Sequence, residues 1–232
     1  MSSVSYQARR GQLQTYFDRT AVEAWSRLTS DDAEVSRIRA TVRDGRHRMR
    51  RTLIDWLPEN LSGRRILDAG CGTGASAVEM ARRGGEVVAV DLSPRLIQLA
   101  GERMPTDIAG SVDFRVGDML DPGPGRFDFV LAMDSLIHYR PADIVQALAT
   151  LAGRADEAIV FTFAPRTALL TLMHTTGRLF PRTDRAPMIE PVRQRTLRRL
   201  VASTPALDAW RTGRDARINC GFYISHALEL RR

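Results

Sequence analysis

The sequence predicts an α/β domain whose mostly parallel, seven-stranded sheet is covered by helices on both faces. Three observations lead to this fold class. From Arg64 onwards, short apolar runs alternate with helical segments, a pattern typical of parallel strands joined by crossover helices. A glycine-rich turn follows the first apolar run, and two further strand-like runs close the chain. The first 57 residues show helical periodicity only, which predicts a helical segment in front of the sheet.

The N-terminal segment divides into two amphipathic helices. Apolar side chains recur at helical spacing from Phe17 to Leu28 and again from Val35 to Trp56, and Pro58 ends the second run. Arginines crowd the remaining faces of the second helix. They predict either a solvated face or a basic wall over a ligand site or a membrane surface.

The strands and crossover helices then follow in order. We expect five strands at Ile66–Ala69, Glu86–Asp91, Val112–Val116, Phe127–Met133 and Ala158–Phe163, and helices at Ala75–Arg83, Pro94–Arg103 and Pro141–Ala152. Beyond Pro165 the pattern indicates a helix, a turn-rich piece and another helix near Arg195–Ser203. The tail, from about Leu207 to Leu230, is typical of two strands that form an antiparallel hairpin at the sheet edge. The expected division is a helical cap at 1–57 and a second domain at 58–232, with a substrate-covering insert at about 166–205.

Composition and charge exclude several classes of protein. With 232 residues, 44% hydrophobic and 26% charged, the chain has a globular composition, and it contains no uncharged apolar stretch long enough to span a membrane. The two cysteines predict neither a disulfide framework nor a four-cysteine zinc site, and the N-terminus lacks the apolar region of a secretory signal, so we expect a cytoplasmic location. The net charge of +7 comes from arginine without any lysine. The arginines are scattered without a nucleic-acid-binding motif, so an anionic small ligand or membrane face is favoured over nucleic acid.

The strongest local signal is the stretch Asp68-Ala69-Gly70-Cys71-Gly72-Thr73-Gly74. A buried strand ends in an acid, and three glycines at alternate positions open a helix. Glycines allow the backbone to turn tightly and to approach a ligand, and the helix N-terminus lies beside it. Asp91 ends the next strand at about 20 residues from the first glycine, the spacing at which an acid accepts the hydroxyls of an adenosine ribose.

Two details of this stretch weigh against NAD as the ligand. The dinucleotide fingerprint is G-x-G-x-x-G, whereas the spacing from Gly70 to Gly74 is G-x-G-x-G. In addition, Asp68 can hold the ammonium of an amino-acid-like ligand, whereas its charge would repel a pyrophosphate. The stretch resembles the S-adenosylmethionine loop of class I methyltransferases, which implies their Rossmann-like fold. An NAD enzyme and a catalytically silent binding module remain as alternatives, as does a methyltransferase acting on the oxygen or nitrogen of another small molecule.

Motifs outside the loop resemble a narrower family. They are YFDRTAVEAWSRL at Tyr16–Leu28, R-x-G at Arg43–Gly45, MDSLIHY at Met133–Tyr139, FTFAP at Phe161–Pro165, LFPR at Leu179–Arg182 and the terminal GFYISHALE. Together with LDAGCGTG they resemble the magnesium-protoporphyrin IX O-methyltransferases of (bacterio)chlorophyll biosynthesis over nearly the whole chain. One departure is Thr29, where some relatives carry a tyrosine; a catalytic role of that tyrosine would here be either absent or taken by Tyr16.

The resemblance implies methyl transfer from S-adenosylmethionine to a propionate of magnesium-protoporphyrin IX. It assigns the cofactor to a group of eleven residues, and it assigns the acceptor side to His138 and Tyr16, without a protein-bound metal. The cofactor group comprises Arg43 as partner of the cofactor carboxylate, Asp68, Ala69, Gly70, Gly72 and Gly74 around the methionine end, Asp91 and Leu92 at the ribose, Asp118 and Met119 at the adenine, and Met133. Docking on the porphyrin-binding subunit of magnesium chelatase and contact with the photosynthetic membrane are further expectations.

Overall fold

The protein, analysed as a computed structural model, is described over residues 4–27, 33–121, 123, 125–166 and 189–232, and for residues 18–39 the description excludes side chains. Within these residues the helices are α1 (Val4–Arg27), α2 (Ala33–Ile54), α3 (Ala75–Arg82), α4 (Pro94–Glu102), α5 (Pro141–Ala152) and α6 (Gln194–Ala202). The strands are β1 (Arg65–Ala69), β2 (Glu86–Asp91), β3 (Ser111–Val116), β4 (Phe127–Ala132), β5 (Ala155–Phe163), β6 (Arg211–Cys220) and β7 (Tyr223–Arg231).

The seven strands form one mixed sheet in the order β3-β2-β1-β4-β5-β7-β6. Strands β1 to β5 are parallel to one another, and β7 runs antiparallel to both β5 and β6. The direction of the strand order reverses between β1 and β4. In open α/β sheets, the carboxyl ends of the strands at such a reversal form a crevice in which ligands bind.

Helices cover both faces of the sheet, as the alternation of elements predicts. On one face Leu67 and Val130 pack with Leu148 of α5, in a cluster that also includes Tyr6 and Leu13 of α1. On the other face the neighbouring strand residues pack with two helices, in a cluster that contains Ile66, Leu131, Met49 and Leu53 of α2 and Met80 of α3. Each fully buried side chain of this size contributes roughly 1.5–3 kcal/mol to folding, so α2 is held firmly against the sheet.

Most element boundaries agree with the sequence predictions within one or two residues. β2 and α5 coincide with their predicted ranges, and α4 begins at Pro94 after an N-cap at Ser93, whose hydroxyl accepts a hydrogen bond from the Leu96 amide at 3.4 Å. β5 is longer than predicted because an irregularity in its pairing with β4 extends the ladder back to Ala155. The terminal strands β6 and β7 form the expected antiparallel hairpin at the sheet edge.

Two sequence predictions lie wholly or partly outside the described residues. These are the helix after Pro165, together with the LFPR motif at 179–182, and the division of the insert at 166–205, of which only residue 166 and residues 189–205 are described. The backbone of Val192 pairs with both Ala164 and Arg166, at 2.8 and 3.0 Å, so the chain rejoins the sheet end next to β5. A search of the described helices finds none with the length and apolarity that a membrane crossing requires.

Candidate active site

A cavity of about 410 Å³ lies at the carboxyl ends of β1 to β4, beneath α1 and α2. It is therefore located at the reversal of strand order. Its walls combine apolar side chains with a few carboxylates and ring hydroxyls. The lining residues are Tyr6, Leu13, Tyr16, Phe17, Arg46, Gly70, Gly72, Thr73, Val90, Asp91, Leu92, Leu96, Gly117, Asp118, Met119, Met133, Asp134, Ser135, His138 and Tyr139.

The glycine-rich loop forms the floor of the cavity. Gly70 has a φ of 84°, and a Cβ placed on it would lie 2.4 Å from the Cβ of Ser135, so only glycine allows β1 and the loop after β4 to approach this closely. Gly72 has a φ of 55° and would have nothing within 4 Å of its Cβ, which leaves its backbone open to the cavity. Gly74 is the N-cap of α3 and packs against the ring of Phe114 behind the lining.

Asp91 is oriented by two backbone amides. The N–H of Gly72 donates to one carboxylate oxygen at 2.9 Å, and the N–H of Ser93 donates to the other at 3.0 Å. Charge-assisted hydrogen bonds of this kind hold a carboxylate in one orientation. Asp91 and Leu92 thus face the cavity together at the end of β2.

Asp118, beyond the end of β3, connects the sheet to α1. Its Oδ1 accepts hydrogen bonds from the Tyr6 hydroxyl at 2.7 Å and from the Leu120 amide at 3.0 Å, and its Oδ2 pairs with Arg10 at 3.0 Å. The Tyr6 ring stacks on Tyr139 with centroids 4.7 Å apart. Burial, Tyr139 and the Asp118 carboxylate raise the pKa of Tyr6 well above its usual value, so its hydroxyl keeps its proton and acts as a donor.

Asp68 lies at the end of β1, behind the cavity lining, and is only 1% exposed. Its Oδ2 has no hydrogen-bond partner within the described part of the chain. Burial and the nearby Asp91 carboxylate raise the pKa of Asp68 to about 7, against opposing effects of the Ala77 amide and the Arg50 charge. A buried carboxylate without a full set of partners is costly, so this position favours a cationic ligand group beside it.

One end of the cavity lies next to the loop after β4. His138 belongs to a short 3₁₀ helix, Leu136–His138, and its ring meets that of Phe17 edge-on with centroids 6.3 Å apart. The rings of Tyr16 and Phe17 are 5.4 Å apart. The middle of α1 therefore places aromatic side chains opposite a buried histidine, which is an environment suited to a flat apolar ligand.

Asp134, in the same loop, has the unusual backbone conformation φ 55°. Its amide donates to Thr162 Oγ1 at 2.7 Å, and its carboxylate accepts a hydrogen bond from Tyr223 at 3.0 Å. Arg46 Nε lies 3.3 Å from Asp134 Oδ2. Among the described residues, Asp134 is the one non-glycine residue with a positive φ, and strained backbone of this kind concentrates at functional sites.

The structure brings most of the predicted site residues into one place. Those that line the cavity are Tyr16, Gly70, Gly72, Asp91, Leu92, Asp118, Met119, Met133 and His138. Asp68, Ala69 and Gly74 lie behind the lining, while Arg43 is exposed on α2 and does not reach the cavity. Within the described residues, no group of three or more His, Cys, Asp or Glu side chains could hold a metal ion.

Several lining residues were not predicted from the sequence. Tyr6, Leu13 and Phe17 share one face of α1 at spacings of seven and four residues, a signal that was available in the sequence. Arg46 follows the R-x-G element directly, but choosing it over Arg43 requires the orientation of α2 on the sheet. Thr162 and Tyr223 reach Asp134 from distant strands, which no local pattern reveals.

Comparisons with known proteins agree with this geometry. The family model described as magnesium-protoporphyrin IX methyltransferase C-terminus matches residues 132–232, and a general methyltransferase domain model matches residues 66–155. The solved structure of magnesium protoporphyrin IX methyltransferase from Synechocystis PCC 6803 with bound SAH superposes with a TM-score of 0.80. It shares 26% identity, and the match covers 96% of this chain and 99% of that one. The fold is accordingly a Rossmann-like methyltransferase fold.

Two curated sequences extend the similarity over the whole chain. The magnesium-protoporphyrin O-methyltransferase of Rhodobacter capsulatus is 49% identical over 227 residues, which cover 97% of this chain and 98% of that protein. The protein of the same description from Synechocystis sp. is 27% identical over 218 residues, with 92% of each chain covered. Because such identity spans both the glycine loop and the family-specific ends, this chain belongs to the magnesium-protoporphyrin IX methyltransferase family.

Proposed function

We propose that this protein transfers the methyl group of S-adenosylmethionine to a propionate carboxylate of magnesium-protoporphyrin IX and so forms the monomethyl ester in (bacterio)chlorophyll biosynthesis. The full-length similarity to the Rhodobacter capsulatus protein is the observation that carries this proposal. The cavity supports it independently, because it combines a nucleoside-type site with an aromatic acceptor end. When bound, S-adenosylmethionine supplies an electrophilic methyl group on a sulfonium.

The charges of the site fit a cationic cofactor. Asp68, Asp91, Asp118 and Asp134 lie at or just beyond the carboxyl ends of four neighbouring parallel strands, and three of them line the cavity. The potential of such a group favours a sulfonium and an ammonium, and it opposes the two negative charges of a pyrophosphate. This arrangement therefore supports S-adenosylmethionine over NAD, in agreement with the spacing of the glycines.

Different residues of the chain bind different parts of the cofactor. Gly70, Gly72 and Gly74 shape the loop that the methionine end approaches, with Ala69 in the same turn, and Asp68 holds the ammonium. Asp91, oriented by its two backbone amides, accepts the ribose hydroxyls beside Leu92. Asp118 and Met119 contact the adenine, and Met133 covers the methionine end from β4. These roles match the order in which the four strand ends occur across the sheet.

The acceptor needs orientation more than activation. A propionate has a pKa of roughly 4–5, by comparison with a glutamate side chain, so it is already a nucleophile at neutral pH. His138 orients the acceptor oxygen by a hydrogen bond or contacts the porphyrin, and Tyr16 closes the cavity on the opposite side. Alignment of the reacting groups and exclusion of water are together worth up to about 7–11 kcal/mol, which explains why the chain needs no catalytic dyad.

The N-terminal helices act as the cover of the acceptor site. Beyond the contacts of Tyr6 and Arg10 with Asp118, the Ser5 hydroxyl donates to Asp143 at 2.6 Å and Arg9 pairs with Glu190 at 2.8 Å. These bonds tie α1 to α5 and to the segment before α6. We therefore retain the division into a helical cap at 1–57, a methyltransferase domain at 58–232 and a substrate-covering insert at about 166–205 as part of the proposal.

A membrane contact through the β6–β7 turn also belongs to the proposal. Phe222 at this turn is 52% exposed, and the neighbouring Gly221 approaches Thr41 of α2. Arg43 and Arg48 on the same helix are exposed, and an aromatic ring beside basic side chains suits an anionic lipid surface. We expect the wild-type protein to co-float with anionic vesicles and Phe222→Ser to lose this co-flotation.

Docking on magnesium chelatase remains a prediction, which co-purification of the two proteins would test.

The decisive experiment incubates purified protein with labelled S-adenosylmethionine and a porphyrin panel. Magnesium-protoporphyrin IX should be esterified once, metal-free protoporphyrin poorly, and the dimethyl ester not at all, because it offers no carboxylate. Asp113→Asn, an exposed carboxylate at the start of β3, serves as the matched control for variants of the site. If no porphyrin is methylated while S-adenosylhomocysteine still binds, the protein is a catalytically silent binding module. If another small molecule is methylated instead, the proposed substrate is wrong.

A further inference from the structure

We infer that Arg46 anchors a ligand carboxylate in the cavity and that Asp134, backed by Tyr223, holds Arg46 in the position that this requires. The inference deepens the proposed function and rests on it, since both proposed ligands carry carboxylates. They are the amino-acid carboxylate of the cofactor and the porphyrin propionate that is not methylated. These two sources share one chemistry, recognition by a guanidinium, and the experiment below distinguishes them.

Arg46 is the one arginine among the described residues that line the cavity. Its Nε lies 3.3 Å from Asp134 Oδ2, and 57% of its side chain is exposed. Asp134 is its only salt-bridge partner in the part of the chain that the structure describes. A guanidinium carries five N–H donors, and contact through Nε leaves the edge formed by the two terminal nitrogens for a second carboxylate.

Neighbouring residues fix the Asp134 carboxylate in the position in which it contacts the Arg46 guanidinium. Its carboxylate oxygens both lie within hydrogen-bond distance of the Tyr223 hydroxyl, at 3.0 and 3.1 Å, and its amide is bound by Thr162. Burial and the Asp134 charge raise the pKa of Tyr223 well above its usual value, so the phenol stays protonated and donates. With two neighbours from other strands, the left-handed backbone of Asp134 is maintained at this position.

The packing of α2 decides which arginine reaches the cavity. A Cβ on Gly45 would lie 2.6 Å from the ring of Tyr223, so this glycine lets the helix sit directly on β7. The close contact fixes the rotation of α2 and directs Arg46 towards Asp134, whereas Arg43, three residues earlier, does not line the cavity. The packing of α2 on β7 and the Tyr223–Asp134 hydrogen bond therefore both determine the position of Arg46.

The role of Arg46 is tested by calorimetry and steady-state kinetics on Arg46→Ala, with Arg51→Ala on the same helix as control; the Arg51 side chain is 78% exposed. If the cofactor supplies the carboxylate, the dissociation constant for S-adenosylhomocysteine should rise roughly ten- to a hundred-fold, and the decarboxylated analogue should bind both proteins equally. If the porphyrin supplies it, KM for magnesium-protoporphyrin should rise by a similar factor with cofactor binding unchanged. Unchanged values for both ligands would overturn the inference.

The positioning role of Asp134 has its own test. Asp134→Asn and Tyr223→Phe should weaken binding of the same ligand as Arg46→Ala, and adding either change to Arg46→Ala should have no further effect on that ligand. Additive effects would show that Asp134 acts only on the fold. Cofactor binding is measured without any methyl transfer. The inference can therefore be tested even if the protein does not methylate a porphyrin and the proposed function is wrong.

Discussion

The buried carboxylate of Asp68 makes cofactor binding depend on pH. In the protein without ligand its pKa is raised from 3.8 to about 7, first by burial and then by Asp91. A cofactor ammonium beside the carboxylate favours the charged form, so binding must release the proton that Asp68 carries. We expect release of about one proton per cofactor at pH 6 and about a tenth of a proton at pH 8, and affinity should fall nearly ten-fold per pH unit below pH 7.

The same shift predicts how stability responds to pH. The native protein binds a proton at Asp68 between pH 3.8 and about 7 that the unfolded chain does not bind, so stability falls as the pH rises through this range. The full shift corresponds to about 4 kcal/mol. Asp68→Asn cannot ionise, and it should therefore lose this decline between pH 4 and pH 8 while binding the cofactor more weakly at pH 8.

The assay is titration calorimetry with S-adenosylhomocysteine at pH 6, 7 and 8, in two buffers that differ in ionisation enthalpy. The buffer dependence of the heat counts the protons released. His138→Gln is the matched control, because it changes another side chain of the cavity lining and leaves Asp68 in place. The reasoning fails if the wild type releases no proton at pH 6, or if Asp68→Asn releases as many as the wild type does.

Substitutions at three positions test further parts of the structure. Asp91→Ala should weaken cofactor binding roughly ten- to a hundred-fold in calorimetry, since the ribose hydroxyls lose their acceptor; an intact fold with unchanged affinity would remove Asp91 from the site. His138→Ala should lower turnover on the order of a hundred-fold with cofactor affinity retained, and His138→Gln should recover part of it, whereas a base role would leave both variants equally inactive. Burial raises the pKa of Glu229, but the hydrogen bonds from Arg214 lower it by more. The pKa of Glu229 is therefore held below its usual 4.5. Glu229→Gln should cost about 1–3 kcal/mol in urea unfolding at pH 7, and this deficit should shrink as the pH falls below 4.5; a constant deficit would contradict the charge argument.

The candidate site shows where sequence patterns stop being informative. The carboxylates of Asp68, Asp91 and Asp118 could be predicted because each lies at or just beyond the end of a strand, and parallel strands bring their carboxyl ends to one edge. Arg43 was the predicted partner of the cofactor carboxylate, yet α2 presents Arg46 to the cavity instead. A helix contains several arginines at similar spacing, and only its packed orientation selects one of them.

The sequence by itself determined the order of strands and helices, the glycine loop and the family. Local forces set these features: prolines and caps end helices, apolar runs form buried strands, and φ values such as the 84° of Gly70 require glycine. Only the tertiary structure decided that Tyr6 binds Asp118 and that Tyr223 binds Asp134, across separations of 112 and 89 residues. Such contacts depend on how helices and sheet pack in three dimensions, and no periodicity along the chain encodes them.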